Sequence, residues 1–288
     1  MIIEARNVSK AYKKKHALAN VTFKVEGPKI VGFLGHNGAG KTTFLNMLAG
    51  LISATEGEIC VNGENVFNAP HILSEICFVA ESGNFQDEMT VAQSLKAISF
   101  FYPKWNHALA RELLEVFALN PKDKVKSLSK GMVSALGIIT GFASNAAITI
   151  FDEPYIGLDA AGRNCFYDLL IEQQAENPRL FLLSTHLIDE ASALFEEILI
   201  IHEGKLLLQK NADEWPQHVV AVKGAPENVE QAIEGFEVIY KQSFMHEMSA
   251  VLFANGKAIE AENITVGSVS LQDVLVYLSK KQKARSTK

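Results

Sequence analysis

A chain of 288 residues, 48% apolar and 21% charged, has ordinary globular composition and holds either one large domain plus a small one or two ordinary domains. The net charge of -6 argues against a diffuse basic face, so no nucleic-acid partner is expected, although a local basic groove stays open. Cys60, Cys77 and Cys165 are odd in number and not in metal spacing; they read as reduced thiols of a cytosolic protein rather than a disulfide framework or zinc site.

The opening MIIEARNVSKAY lacks the basic-then-apolar pattern of a signal peptide. Residues 2–8 and 18–25 alternate and are rich in Val, Ile and Phe, which predicts two strands joined by a polar turn at Lys13–Lys15. Lys29–Leu34 is a continuous apolar run ending at Gly35, as suits a central parallel strand. Lys41–Ala49 follows with helical periodicity, and Gly50 suits its end. Residues 58–62 and 76–80 predict two further strands. Over 91–119 the apolar positions are helix-spaced (Leu95, Ile98, Phe101, then Leu109, Leu113, Val116, Phe117), with Pro103 as an interruption.

Gly131–Phe151 contains no charged residue and reaches the length of a membrane span. Its Ser134, Thr140, Ser144, Asn145 and Thr149, with Gly137 and Gly141, predict instead a buried helix, a break near Asn145 and a buried strand in a soluble chain. Ile148–Phe151 and Leu180–Ser184 read as strands around a helix at Phe166–Gln174, and Ile198–His202 with Lys205–Gln209 as a hairpin turning at Glu203-Gly204. Such alternation predicts an α/β domain with a mainly parallel core sheet. After residue 212 the pattern becomes a small α+β unit: strands at Val219–Val222, Val238–Tyr240, Ala250–Phe253 and Ala258–Glu260, helices over Glu227–Glu234 and Leu271–Leu278. The end, KKQKARSTK, reads as a disordered solubilising tail, with attraction to an anionic membrane as the alternative.

The chemistry begins at residues 35–42, GHNGAGKT. Glycines at Gly35, Gly38 and Gly40 free the backbone to turn N–H groups inward on phosphates, and the following helix points its positive end at the same anions. Lys41 is placed to reach the β- and γ-phosphates and Thr42 to ligate Mg2+; Asn37, Ala39 and Thr43 complete the candidate contacts. The second half of such a site is Ile148-Thr149-Ile150-Phe151-Asp152-Glu153, whose apolar run buries a strand that presents Asp152 to the metal and Glu153 to the attacking water.

Between these motifs lies Leu128-Ser129-Lys130-Gly131-Met132, and here the chain resembles the nucleotide-binding domain of ABC transporters, with LSKGM as a variant of the LSGGQ signature. Over about residues 2–210 the other motifs of that family follow in order. Tyr12 resembles the A-loop aromatic that stacks on adenine, Glu81 occupies the Q-loop position, Gly157-Leu158-Asp159 resembles the D-loop, and His186 the switch histidine on the γ-phosphate. The resemblance implies the P-loop NTPase fold of ABC ATPases, with a mainly parallel core sheet, an antiparallel β subdomain and a helical subdomain at about 82–145. That makes an ATP-binding domain over 1–211 and a C-terminal accessory domain over 212–288. It further implies ATP and Mg2+ as ligands, with Glu153, His186 and Lys41 catalytic and Thr42, Asp152 and Glu81 at the metal. Tyr12, Gly35, Asn37, Gly38, Ala39, Gly40, Lys41, Thr42, Thr43, Glu81, Ser129, Gly131 and Asp159 would meet nucleotide, the signature residues reaching ATP held by a second ATP-binding subunit, homo- or heteromeric.

Two departures from the family pattern stand out. Glutamate at position 81 can ligate metal through oxygen but lacks the amide donor of the usual glutamine. Met132 and Val133-Ser134-Ala135 replace polar residues, which is expected to leave the exposed side of that helix apolar. With one cassette and no membrane span, the resemblance implies a separate integral membrane permease and a place on the cytoplasmic face of the membrane. Phe78, Phe85, Phe100 and Phe101 are candidates for the groove that receives it. The stretch Phe101-Tyr102-Pro103-Lys104-Trp105, the signature and the Ser270–Val274 segment look similar to exporters of drugs, antimicrobial peptides or phenol-soluble modulins. A soluble ABC ATPase without a channel is the alternative; a GTPase or P-loop kinase is disfavoured, since no NKxD motif occurs and LSKGM would be unexplained.

Overall fold

Strands β1 (Ile2–Tyr12) and β2 (Lys15–Glu26) pair antiparallel, and their alternating pattern buries Ile3, Ala5, Val8, Val21, Phe23 and Val25 on one face. Strand β3 (Lys29–Leu34) is buried almost throughout, as its unbroken apolar run requires. With β4 (Glu56–Val61) and β5 (Glu64–Asn65), the first two strands complete an antiparallel sheet of order β2-β1-β4-β5. Strand β3 instead joins β6 (Ile76–Val79), β7 (Ile148–Asp152), β8 (Leu180–Ser184), β9 (Glu197–His202) and β10 (Lys205–Asn211) in a six-stranded sheet of order β10-β9-β3-β8-β7-β6. Its β9-β3-β8-β7-β6 neighbours run parallel, so β3, β7 and β8 release their C-terminal ends along one edge.

The computed structural model describes residues 1–13, 15–259 and 263–286. Two units divide the chain, Met1–His186 with Leu194–Gln209, and Leu187–Ala193 with Lys210–Lys288. In the first unit, helix α1 (Lys41–Leu48) packs Phe44 against Phe23 and Phe33, at ring separations of 5.1 and 5.2 Å. Helices α2 (Pro70–Leu73), α3 (Val91–Ser99) and α4 (His107–Val116) follow. The 91–119 stretch is thus two helices: Thr90 caps the first through a capping box with Gln93, and the Asn106 side chain caps the second beyond Pro103.

The charge-free stretch becomes α5 (Lys130–Ala143) and β7. Asn145 breaks it in a left-handed conformation (φ 48°), held where buried Arg179 donates to Asn145 Oδ1 and the Phe142 carbonyl at 2.9 and 3.1 Å. Among the described residues no helix is long and apolar enough to cross a membrane. Met132 and Val133, expected on an exposed apolar face, are half-buried, and Ala135 is buried. Helix α6 (Ala160–Glu176) starts earlier than its apolar core suggested, because Asp159 caps it.

In the second unit, α7 (Ile188–Ala191), α8 (Trp215–His218), α9 (Pro226–Ala232) and α10 (Leu271–Ser286) accompany β11 (Val219–Gly224), β12 (Glu237–Phe244), β13 (Glu247–Phe253) and β14 (Ile264–Ser268). The sheet order is β12-β13-β11-β14, antiparallel throughout. The strand expected at Ala258–Glu260 is not formed at Ala258 and Ile259, and Glu260 lies outside the described residues. The fourth strand is β14, an edge whose side chains from Thr265 to Ser268 are exposed, so no burial pattern marks it in the sequence. The basic end, expected to be disordered, continues α10 to Ser286; Lys, Gln, Ala and Arg are strong helix formers. Thr287 and Lys288 lie outside the described residues.

Candidate functional site

The edge where β3, β7 and β8 end gathers most of the residues singled out by sequence. Strand β3 hands the chain to Gly35, where a Cβ would lie 2.3 Å from the Ile201 carbonyl oxygen. Gly40, at φ 110°, caps α1; a Cβ there would lie 2.6 Å from the Ala17 oxygen and 2.6 Å from Leu18. No side chain caps α1, so its first-turn amides face the mouth of the loop, beside exposed Asn37 and Gly38, buried Ala39 and half-buried Thr43. The loop is buttressed from the β9–β10 turn: Gly204 donates its N–H to the Ala39 carbonyl at 3.0 Å and accepts from Ala19 at 2.8 Å.

Lys41 is only 7% exposed. Its Nζ donates to the Gly35 carbonyl at 2.7 Å and to that of His36 at 3.4 Å, curling the cation over the loop. Burial pulls its pKa down from the ordinary lysine value, against the opposing fields of Glu153 and Asp152.

Thr42 donates its hydroxyl to Asp152 Oδ2 at 2.8 Å, joining the first turn of α1 to the end of β7. Asp152 is 2% exposed, and its other oxygen, Oδ1, is buried without a hydrogen bond. A hard-oxygen pair with one unsatisfied carboxylate oxygen fits a divalent cation such as Mg2+.

Glu153 follows in a left-handed conformation (φ 53°), its N–H donating to the Ser184 carbonyl at 3.0 Å. Its Oε2 lies 2.6 Å from Nδ1 of His186, whose side chain is half-exposed at the end of β8. Burial raises the Glu153 pKa above the ordinary carboxylate value, with His186 and Lys41 acting in the other direction. A buried carboxylate of raised pKa, oriented by a second group, is a competent acceptor for a proton from water.

Five other sequence candidates take no part in these hydrogen bonds. Glu81 is exposed beyond β6, whose Val79 pairs with Phe151 next to Asp152, and no hydrogen bond or ion pair joins it to Thr42 or Asp152. Tyr12 is an exposed ring at the end of β1 with the Lys10 ammonium 5.4 Å from its centroid. Asp159 accepts from the Gly162 N–H at 2.8 Å as a helix cap. Ser129 caps α5 by accepting from Met132, and a Cβ on Gly131 would meet the Gly157 oxygen at 2.4 Å, so the signature abuts the D-loop rather than its own phosphate loop. No sequence signal marks the contacts of Gly204, of Arg179 or of Ser134, whose hydroxyl donates to the Ile156 carbonyl at 2.6 Å. None stands in a motif; each acts through contacts made in three dimensions with residues distant in the chain.

Beside α1 and β6 lies a groove of about 560 Å3 lined by Leu51, Leu73, Ile76, Phe78 and Phe101 among others. A second cavity of about 200 Å3 adjoins it and includes Phe85. Phe101, 72% exposed, lines both, and its neighbour Phe100 is 77% exposed, which separates the two from the core aromatics.

Residues 18–156 match the family model described as ABC transporter. The bacitracin transport ATP-binding protein BcrA of Bacillus licheniformis is 34% identical over 72% of this chain and 68% of its own length. The Nod factor export ATP-binding protein I of Burkholderia lata is 32% identical over 72% and 70%. A solved structure of the ATP-binding subunit of an ABC transporter superposes with a TM-score of 0.67 at 26% identity, over 74% of this chain and 91% of the other. This chain belongs to the ABC transporter ATP-binding proteins. It is an ABC-type ATPase and a transporter subunit, with the ABC cassette fold that the motifs implied.

Proposed function

We propose that this ATPase powers export through a separate integral membrane permease, by closing a dimer of cassettes around two ATP molecules and opening it on hydrolysis. The observation that carries the reading is the meeting of Thr42 with Asp152 and of Glu153 with His186 on one sheet edge, beside the loop Gly35–Thr43. Loop amides and Lys41 would hold the β- and γ-phosphates, and Tyr12 would stack on the adenine. Thr42 and Asp152 would hold Mg2+, which when bound neutralises phosphate charge; Glu81 would reach it through one oxygen. Glu153 would orient the attacking water and take its proton, while His186 fixes the carboxylate and faces the γ-phosphate. Ser129, Gly131 and Asp159 would act across the dimer, where the uncapped charge of a partner's γ-phosphate suits the α5 N-terminus.

Export of a drug-like or amphipathic peptide is the direction and cargo we favour, since relatives are named for bacitracin transport and Nod factor export. The permease would seat a cytoplasmic helix in the groove lined by Phe101, beside exposed Phe100, with residues 212–288 as an accessory domain, on the cytoplasmic face of the membrane. The test is co-purification from native membranes. A multi-span membrane protein should accompany the tagged chain and be lost on Phe101→Ser; a chain that stays wholly unaccompanied would favour a soluble ABC ATPase.

A further inference from the structure

Ser134 stands in the second turn of the signature helix, among the apolar Met132, Val133 and Ala135. Its hydroxyl points across to the segment after Glu153 and donates to the Ile156 carbonyl at 2.6 Å. The Ile156 N–H donates in turn to the Glu153 carbonyl at 3.3 Å, and Glu153 Oε2 meets His186 Nδ1 at 2.6 Å. A backbone contact runs alongside this chain of bonds. Gly131 and Gly157 approach so closely that a Cβ on Gly131 would lie 2.4 Å from the Gly157 oxygen and one on Gly157 2.9 Å from the Gly131 nitrogen. With no side chain between them, a shift of the first turn of α5 must displace residues 156–158.

We infer that Ser134 is a positioning residue that ties the signature to Glu153 of the same chain. The inference rests on the dimeric reading above, in which Ser129 and Gly131 touch nucleotide held by a second copy. Occupancy of the partner's site then bears on the carboxylate of this chain through α5, Ser134 and Ile156, and each site reports its neighbour's nucleotide to its own Glu153. The element that transmits is short, contiguous and buried in part, which is what an energetic coupling between neighbouring sites requires. Removing the hydroxyl leaves the Ile156 carbonyl without this donor and frees residues 154–158 to move independently of α5.

The experiment compares Ser134→Ala and Ser134→Thr with the unsubstituted full-length protein, by steady-state ATP hydrolysis, ATP affinity and thermal melting, with Glu153→Gln as control. Ser134→Ala should lower kcat about tenfold, within the range of site-to-site couplings, and lower the Hill coefficient for ATP. ATP affinity and melting temperature should stay near those of the unsubstituted protein, and Ser134→Thr, which keeps the hydroxyl, should restore most of both kinetic losses. With Glu153→Gln inactive, an unchanged kcat and Hill coefficient in Ser134→Ala overturns the coupling and leaves the ATPase reading intact. A loss shared equally by melting temperature and not restored by threonine also overturns it. Turnover by Glu153→Gln at the unsubstituted rate overturns both.

Discussion

Thr42 and Asp152, 110 residues apart in the chain, share a hydrogen bond of 2.8 Å, and the second oxygen of that carboxylate is buried with no partner. A carboxylate so placed is held ready for a cation rather than satisfied by the fold. Asp152→Asn should therefore weaken Mg2+-dependent ATP binding by roughly 10–100-fold, the scale of one lost charged contact, and leave binding in excess chelator nearly unchanged. Calorimetric titration with and without Mg2+ makes the comparison.

Lys41 is buried against its own loop, where its charge is stabilised mainly by backbone oxygens and two nearby carboxylates. Phosphates would replace those carbonyls as stronger partners. Lys41→Ala should reduce ATP affinity by about 10–100-fold, corresponding to roughly 1.5–3 kcal/mol for a hydrogen bond to a charged group. Unchanged affinity in a fluorescent-nucleotide titration would remove the lysine from the phosphate site.

Gly40 combines φ 110° with carbonyl and leucine neighbours at 2.6 Å. Gly40→Ala forces a Cβ into the Ala17 oxygen and a side chain into a backbone region that disfavours it. The expected cost is about 1–3 kcal/mol or more of stability together with loss of nucleotide binding. Thermal melting and ATP binding should both fall, which separates this substitution from Lys41→Ala, where only binding should.

Glu153 gives a pH dependence whose sign is fixed by burial. Its folded-state pKa is raised above the ordinary value of 4.5, so folding favours the protonated form. That contribution is complete below about 4.5 and lost as pH rises through the raised value. Glu153→Gln has no such penalty. In nucleotide- and metal-free protein, the melting temperature of Glu153→Gln minus that of the unsubstituted chain should grow as pH rises from about 4.5 through the raised value and then level off. A difference that shrinks over this range would contradict the burial argument.

What the sequence disclosed tracks the range over which each signal acts. The loop at 35–42, the strand before Asp152 and the break at Asn145 rest on local periodicity and on glycine or carboxylate chemistry, and each stands in the structure at the residues expected. Strand β14 was not legible, because an exposed edge has no burial alternation to read. Nor were the contacts of Gly204 with Ala39 or of Ser134 with Ile156, since each joins residues distant in the chain through a single backbone carbonyl. That Glu81 is exposed and makes no hydrogen bond or ion pair to Thr42 or Asp152 was equally invisible: a motif fixes a residue's order in the chain and not its side-chain contacts.

In the proposed function, Glu153 activates water for hydrolysis at a nucleotide site shared between two copies. Glu153→Gln keeps the shape of the side chain and removes the charge and the proton acceptor. Measured with Mg2+ and ATP, its turnover should fall at least about 100-fold while ATP affinity is kept, and size-exclusion chromatography should find it as an ATP-dependent dimer. Hydrolysis at the unsubstituted rate, or a variant that stays monomeric with ATP bound, would contradict the account.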